Sequence, residues 1–172
     1  MDDALLVIGF GNSLRSDDGV GPRVADAVGR LRLPGVRTIA RIQLTPELAD
    51  PISRARAVVF VDAAVDQAEP TLMHRLDPFD HSHILAHSAD PRFLLALARD
   101  AFGTAPEAWL LTVRAEDLGF GERLSPAAKR GLRAAVREVL SLHRDLDGRG
   151  DLQPPFVAAA ARMVRPLIHV RA

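Results

Sequence analysis

The chain alternates between short unbroken apolar runs and longer stretches in which apolar positions recur every three or four residues. Ala4-Leu5-Leu6-Val7-Ile8, halted by Gly9, is the first run. Continuous apolarity over so few residues predicts a strand buried on both faces. After a Gly-rich turn, Pro22 suits the first turn of a helix, with Val24, Ala27, Val28 and Leu31 at i, i+3, i+4 and i+7. Pro34-Gly35 ends that helix. Residues 36–43 predict a weaker second strand, Thr45-Pro46 a helix start, and residues 57–61 a strongly apolar third strand ending at Asp62. Residues 71–76 predict a further strand, followed by an irregular, histidine-bearing stretch to Asp90. Asp90-Pro91 opens a helix with Phe93, Leu94, Leu97 and Ala101 on one face, closed by Gly103. Residues 109–113 are another apolar strand. Ser125-Pro126 starts the longest helix, with Leu132, Ala135, Val136, Val139, Leu140 and His143 in register.

Strands alternating with amphipathic helices predict an α/β fold, a three-layer α/β/α sandwich on a mainly parallel five-stranded sheet. The pattern divides the chain into an α/β domain over residues 1–145 and a linker and tail over residues 146–172. The change begins with a charged, Gly/Pro-rich stretch from Arg144 to Pro155. At 172 residues the chain is of a size for one domain with a substantial core.

Lys plus Arg and Asp plus Glu balance at 22 each, so overall charge gives no reason to expect nucleic acid or an anionic membrane as partner. The absence of cysteine removes disulfides, thiolate metal ligands and a cysteine nucleophile together. Met1-Asp2-Asp3 is acidic where a secretory signal is basic, and the following apolar run is too short to span a bilayer. The expectation is a soluble cytoplasmic protein whose function rests on local sites.

Ligands of open, mainly parallel sheets bind outside the carboxyl ends of the strands. Three polar features fall at such ends: the turn at residues 9–21 with Asp17 and Asp18, Asp62 at the end of the third strand, and the loop before Asp90 with His81, His83 and His87. Two carboxylates and an imidazole with open positions suit a divalent ion such as nickel, zinc, manganese or iron, without choosing among them. Simpler roles compete with this one. Asp17 and Asp18 suit an Asx turn capping the next helix, Asp62 suits a strand end, and the histidines suit a solvated loop. Asn12 suits a left-handed or turn position, its amide tying the loop together. Gly9-x-Gly11 invites a dinucleotide-binding reading, but Leu14 stands where the last glycine belongs and Ile42-Gln43-Leu44 lacks the ribose-binding acid. Four glycines in thirteen residues imply a backbone that approaches something closely.

The order from Val7 through Gly9-Phe10-Gly11-Asn12-Ser13-Leu14-Arg15-Ser16-Asp17-Asp18-Gly19-Val20-Gly21-Pro22 resembles the opening signature of the nickel-iron hydrogenase maturation endopeptidases. Val58-Val59-Phe60-Val61-Asp62-Ala63 is similar to that family's second motif. His87 followed by Leu94-Leu95-Ala96-Leu97-Ala98 is similar to its third, and Leu124-Ser125-Pro126 to its C-terminal pattern. The resemblance spans about residues 4 to 143. It implies an endopeptidase that removes the C-terminal extension of the hydrogenase large-subunit precursor after nickel insertion, acting as a cytoplasmic monomer. Carried over residue by residue, Asp18, Asp62 and His87 are the metal-contacting and catalytic residues. The nickel is carried by the substrate, and another divalent ion is the alternative. With no cysteine and no G-x-S-x-G elbow, hydrolysis through water, of aspartic or metal-assisted type, is the chemistry expected.

This sequence departs from the family pattern in three places. Ile42-Gln43-Leu44-Thr45 replaces the Asp-Gly-Gly-Thr of many relatives. Ala86 replaces the serine before the ligand histidine, with His83 as a competing ligand, and the tail after about residue 145 has no counterpart. The alternative function is a non-catalytic nickel-recognition or chaperone module in hydrogenase assembly.

Overall fold

A computed structural model describes residues 4–77 and 90–148. In chain order the elements are β1 (Leu5–Phe10), α1 (Val20–Arg30), β2 (Val36–Arg41), α2 (Ala49–Ser53), β3 (Ala57–Ala64), β4 (Thr71–Leu76), α3 (Pro91–Phe102), β5 (Glu107–Arg114) and α4 (Pro126–Gly148). The strands form one sheet in the order β2-β1-β3-β5-β4. All neighbours pair in parallel except β4, which runs antiparallel to β5. This is the expected α/β architecture.

The unbroken apolar runs are explained by burial on both faces, since successive side chains of a strand point to opposite sides. Leu5 and Val7 of β1, Val59 and Val61 of β3 and Leu111 of β5 pack with Val20, Val24 and Val28 of α1 and Ala135, Val139, Leu142 and Leu146 of α4. On the other face Leu6, Ile8, Val58 and Phe60 pack with Ile52 of α2 and Leu94, Leu95 and Ala98 of α3. β2 is an edge strand with no fully buried residue, which accounts for its weaker apolar pattern. No helix among the described residues is long and apolar enough to cross a membrane.

Local signals set the helix ends. Asp90 caps α3 by accepting the Arg92 N–H at 2.8 Å, Pro91 occupies the first turn, and Gly103 closes the helix at φ +78°. At the start of α4 the Ser125 hydroxyl accepts the Ala128 N–H at 3.1 Å. The helix start expected at Thr45-Pro46 is a 3-10 turn, Pro46–Leu48, leading into the five-residue α2.

Three expectations are corrected by packing. Leu31 is 48% exposed, and Ala101 is also exposed. Leu31 lies past the end of α1, and Ala101 lies in the last turn of α3, where the buried stripe has already ended at Ala98. The linker does not begin at Arg144, because α4 continues to Gly148. Leu142 and Leu146 keep the helical spacing of Ala135 and Val139 and are buried with them, while Arg144 faces solvent. The rest of the tail lies outside the described residues.

Candidate functional site

The loop after β1 folds back on itself as a 3-10 turn, Ser16–Gly19, that feeds directly into α1. Its glycines are required by close approach of the chain to itself. A Cβ on Gly9 would collide with the carbonyl oxygen of Gly21, and one on Gly21 with those of Phe10 and Val61. The start of α1 is thereby seated against the carboxyl ends of β1 and β3. Gly11, at φ +135°, brings its backbone against the Asp18 carbonyl. The close approach inferred from glycine content is therefore internal.

The turn sends its two adjacent carboxylates in opposite directions. Asp17 is fully buried and spends both oxygens on backbone N–H groups of the segment between β5 and α4. Its Oδ2 accepts from Glu116 at 2.8 Å and Asp117 at 3.0 Å, and its Oδ1 accepts from Ser125 at 2.7 Å. Burial by itself would push this carboxyl up, but the N–H donors of Glu116, Ser125 and Asp117 and the Ser125 hydroxyl outweigh it and hold the group below its ordinary value. The backbone extends the same junction. Asp17 N–H donates to Asp117 O at 2.9 Å, Ser16 N–H to Gly121 O at 2.7 Å, and Gly121 N–H to Leu14 O at 2.9 Å. Neither aspartate caps α1, since neither the 3-10 turn nor α1 has a side-chain cap bond.

Asp18 is half-buried and accepts the Asn12 N–H on Oδ2 at 2.8 Å. The Asn12 amide oxygen accepts the Leu14 N–H at 3.0 Å, so it ties the turn as expected, although the left-handed backbone position is Ser16 at φ +48°. Asp62 lies two residues before the end of β3, in register with Thr112 of β5. It follows Val58 and Phe60 on the α2/α3 face of the sheet. Its Oδ1 accepts the Ala63 N–H at 2.8 Å. Burial pushes the Asp62 carboxyl up to about 6, against the pull of the Ala63 N–H, and the nearby charge of Asp18 adds to the rise.

Asp18 thus lies near enough to Asp62 for its charge to be felt there, Asp18 in the loop after β1 and Asp62 near the carboxyl end of β3. Each carboxylate has one oxygen oriented by a backbone N–H, while Asp18 Oδ1 and Asp62 Oδ2 make no hydrogen bond among the described residues. Carboxylate oxygens are donors of the kind a divalent cation takes, but two ligands do not complete a site. No group of three or more potential ligands occurs among the described residues. The third expected ligand, His87, its competitor His83 and the neighbouring His81 lie outside the described residues. The role of Asp17 was not foreseen, because nothing in one sequence separates two neighbouring aspartates whose side chains part company.

The state of Asp62 predicts a stability effect opposite to that of an ordinary polar loss. Its folded value lies above the unfolded one, so its contribution is fully present below about pH 4 and lost as pH rises through about 6. Asp62→Asn is expected to be more stable than the parent at pH 7.5 by about 1–3 kcal/mol, with the difference closing near pH 4. Thermal melts of both proteins at the two pH values check this, and equal melting temperatures at pH 7.5 would contradict it.

No protein-family model matches the chain, and no curated protein matches it significantly. Solved structures do. The hydrogenase maturating endopeptidase HybD from E. coli is similar with a TM-score of 0.65 and 22% identity, over 81% of this chain and 91% of that one. A hydrogenase 2 maturation peptidase from a Thaumarchaeota archaeon is similar with a TM-score of 0.58 and 26% identity, over 81% of this chain and 97% of the other. A [NiFe] hydrogenase maturation protease from Thermococcus kodakarensis is similar with a TM-score of 0.61 and 20% identity, over 80% and 97% respectively. The chain has the fold of the hydrogenase maturation endopeptidases, the family that its first loop resembles.

Proposed function

We propose that this chain, sharing the fold of the hydrogenase maturation endopeptidases, removes the C-terminal extension of a nickel-iron hydrogenase large-subunit precursor once nickel has been inserted. The observation that carries this reading is that Asp18 and Asp62 lie near the carboxyl edge of that fold, each carboxylate held by one backbone N–H and the charge of Asp18 felt at Asp62. Asp17, next in sequence to Asp18, has both oxygens taken by the backbone. The contrast supports a structural role for Asp17 and a ligand-binding role for Asp18 and Asp62.

In this proposal Asp18 and Asp62 grip the nickel already present in the substrate, and His87 supplies the imidazole. Holding the metal fixes the scissile amide relative to the two carboxylates, so that proximity replaces a bimolecular encounter. Water then adds to the carbonyl carbon, a carboxylate of the pair accepts its proton, and that proton passes to the leaving amine as the C–N bond breaks. A precursor without metal lacks the handle and is left uncut, which makes the cleavage a check on metal insertion. The protein acts as a soluble cytoplasmic monomer.

Asp62 must be ionised to take the metal, and its carboxyl titrates at about 6. Metal-dependent binding of the precursor is therefore expected to fall as pH drops through that value. Among the histidines, His87→Ala is expected to slow processing far more than His83→Ala; the reverse order would move the ligand to His83. The deciding assay is incubation with nickel-loaded precursor followed by mass spectrometry. Loss of a C-terminal peptide supports the endopeptidase, whereas stable binding without mass loss favours a nickel-recognition module that does not cleave.

A further inference from the structure

We infer that Gln67 is a positioning residue that keeps the hydroxyl of Thr112 turned away from Asp62, leaving the second Asp62 oxygen open for the metal of the substrate; this rests on the endopeptidase reading above. Asp62 of β3 and Thr112 of β5 are paired in register on parallel neighbouring strands. Such partners stand on the same face of a sheet, on strands about 4.8 Å apart. Here that face is the one covered by α2 and α3, because Val58 and Phe60 precede Asp62 on it and Ala108 and Leu110 precede Thr112. A carboxylate therefore has a hydroxyl as its neighbour on an otherwise apolar surface. A charged carboxylate is a stronger acceptor than a neutral oxygen, so a bond between the two is what local chemistry favours. It is not the bond that forms.

The Thr112 hydroxyl instead donates to Gln67 Oε1 at 2.6 Å, with the Leu72 carbonyl a distant second acceptor at 3.3 Å. A hydroxyl has one proton, and Gln67 holds this one. Gln67 Nε2 donates to Glu69 O at 2.9 Å, which fixes the amide so that its oxygen, an acceptor only, faces Thr112. The bend that brings Gln67 back to β5 is made one residue earlier, where Asp66 takes a left-handed backbone at φ +60°. Asp62 receives the Ala63 N–H on Oδ1 and makes no second hydrogen bond among the described residues. With its proton on Gln67, Thr112 has only lone pairs to turn towards its neighbour. It does not compete with a cation for the free carboxylate oxygen.

The test removes the acceptor and then the donor, in the full chain. In Gln67→Ala the hydroxyl is released to Asp62, and titration calorimetry is expected to show the preference for nickel-loaded over metal-free precursor falling by about fivefold or more. The Gln67→Ala/Thr112→Val double variant has no hydroxyl to misdirect and is expected to recover the parent's preference to within about twofold. Were Gln67 only an anchor for its loop, a second substitution would worsen the loss rather than repair it. An undiminished preference in Gln67→Ala, or a double variant no better than the single one, overturns the proposal. Should the parent bind both forms of the precursor equally, the metal-reading role fails separately, and thermal melts at pH 7.5 decide the positioning. Thr112→Val and Asp62→Asn are expected to shift the melting temperature additively in the parent, within about 1 °C, and to show a coupling of about 3 °C or more in the Gln67→Ala background. Additive shifts in both backgrounds overturn the proposal.

Discussion

Replacing Asp17 by Ala is expected to lower the melting temperature by about 10 °C, corresponding to about 3–5 kcal/mol of stability. The estimate follows from what the carboxylate does. The backbone N–H groups of Glu116, Asp117 and Ser125 all end on its two oxygens. Removing the acceptor leaves three donors at a buried position, and each donor left without a partner costs about 1–3 kcal/mol before the loops relax. Asp17→Asn retains one carbonyl oxygen but turns an amide N–H2 towards other N–H donors, so it is expected to rescue only part of the loss. Because the group is held below its ordinary value, its contribution is present above about pH 4 and disappears as pH falls through the lowered value. Asp18→Asn, one residue along, is expected to change the melting temperature by no more than about 3 °C, since a single bond to Asn12 is at stake and an amide oxygen can accept it. A variant of Asp17 that melts like the parent would remove the structural role assigned to it.

The second large effect concerns activity. Asp18→Asn and Asp62→Asn are each expected to slow precursor processing by at least about 100-fold while the protein stays folded. An amide keeps the shape and the bond to the neighbouring N–H, but it carries no charge for a cation and is a poor proton acceptor. For Asp62 the two readouts move in opposite directions: activity is lost and stability at neutral pH is gained. Such opposition is the signature of a group kept charged in a half-buried place for function. A structural carboxylate such as Asp17 gives the reverse, losing stability first. Processing rates and melting temperatures measured on the same preparations of the three variants separate the roles, and wild-type processing by either Asp18→Asn or Asp62→Asn would contradict the site.

Much of the frame was legible because burial on both faces of a parallel sheet writes itself as unbroken apolar runs, as in residues 57–61 and 109–113. Asp90-Pro91, Gly103 and Ser125-Pro126 announced helix ends through chemistry confined to one turn. The extent of α4 was also present in the spacing of Leu142 and Leu146, but the charged residues between them gave the appearance of a linker. The turn at residues 9–21 was harder. Gly9 and Gly21 are demanded by contacts among β1, α1 and β3, and Gly11 and Gly19 by the turn's own backbone, and glycine content alone cannot distinguish such contacts from a ligand. The division of labour between Asp17 and Asp18 depends on the segment between β5 and α4, about a hundred residues away. No local pattern encodes it.

The central claim is that Asp18 and Asp62 together read the metal in the substrate. Its most direct test is the affinity of the protein for nickel-loaded and metal-free precursor, measured by titration calorimetry on the parent, Asp18→Asn and Asp62→Asn. The account predicts that the parent binds the nickel-loaded form at least about tenfold more tightly and that either substitution erases this preference. Equal affinity of the parent for both forms, or a preference that survives both substitutions, would contradict it.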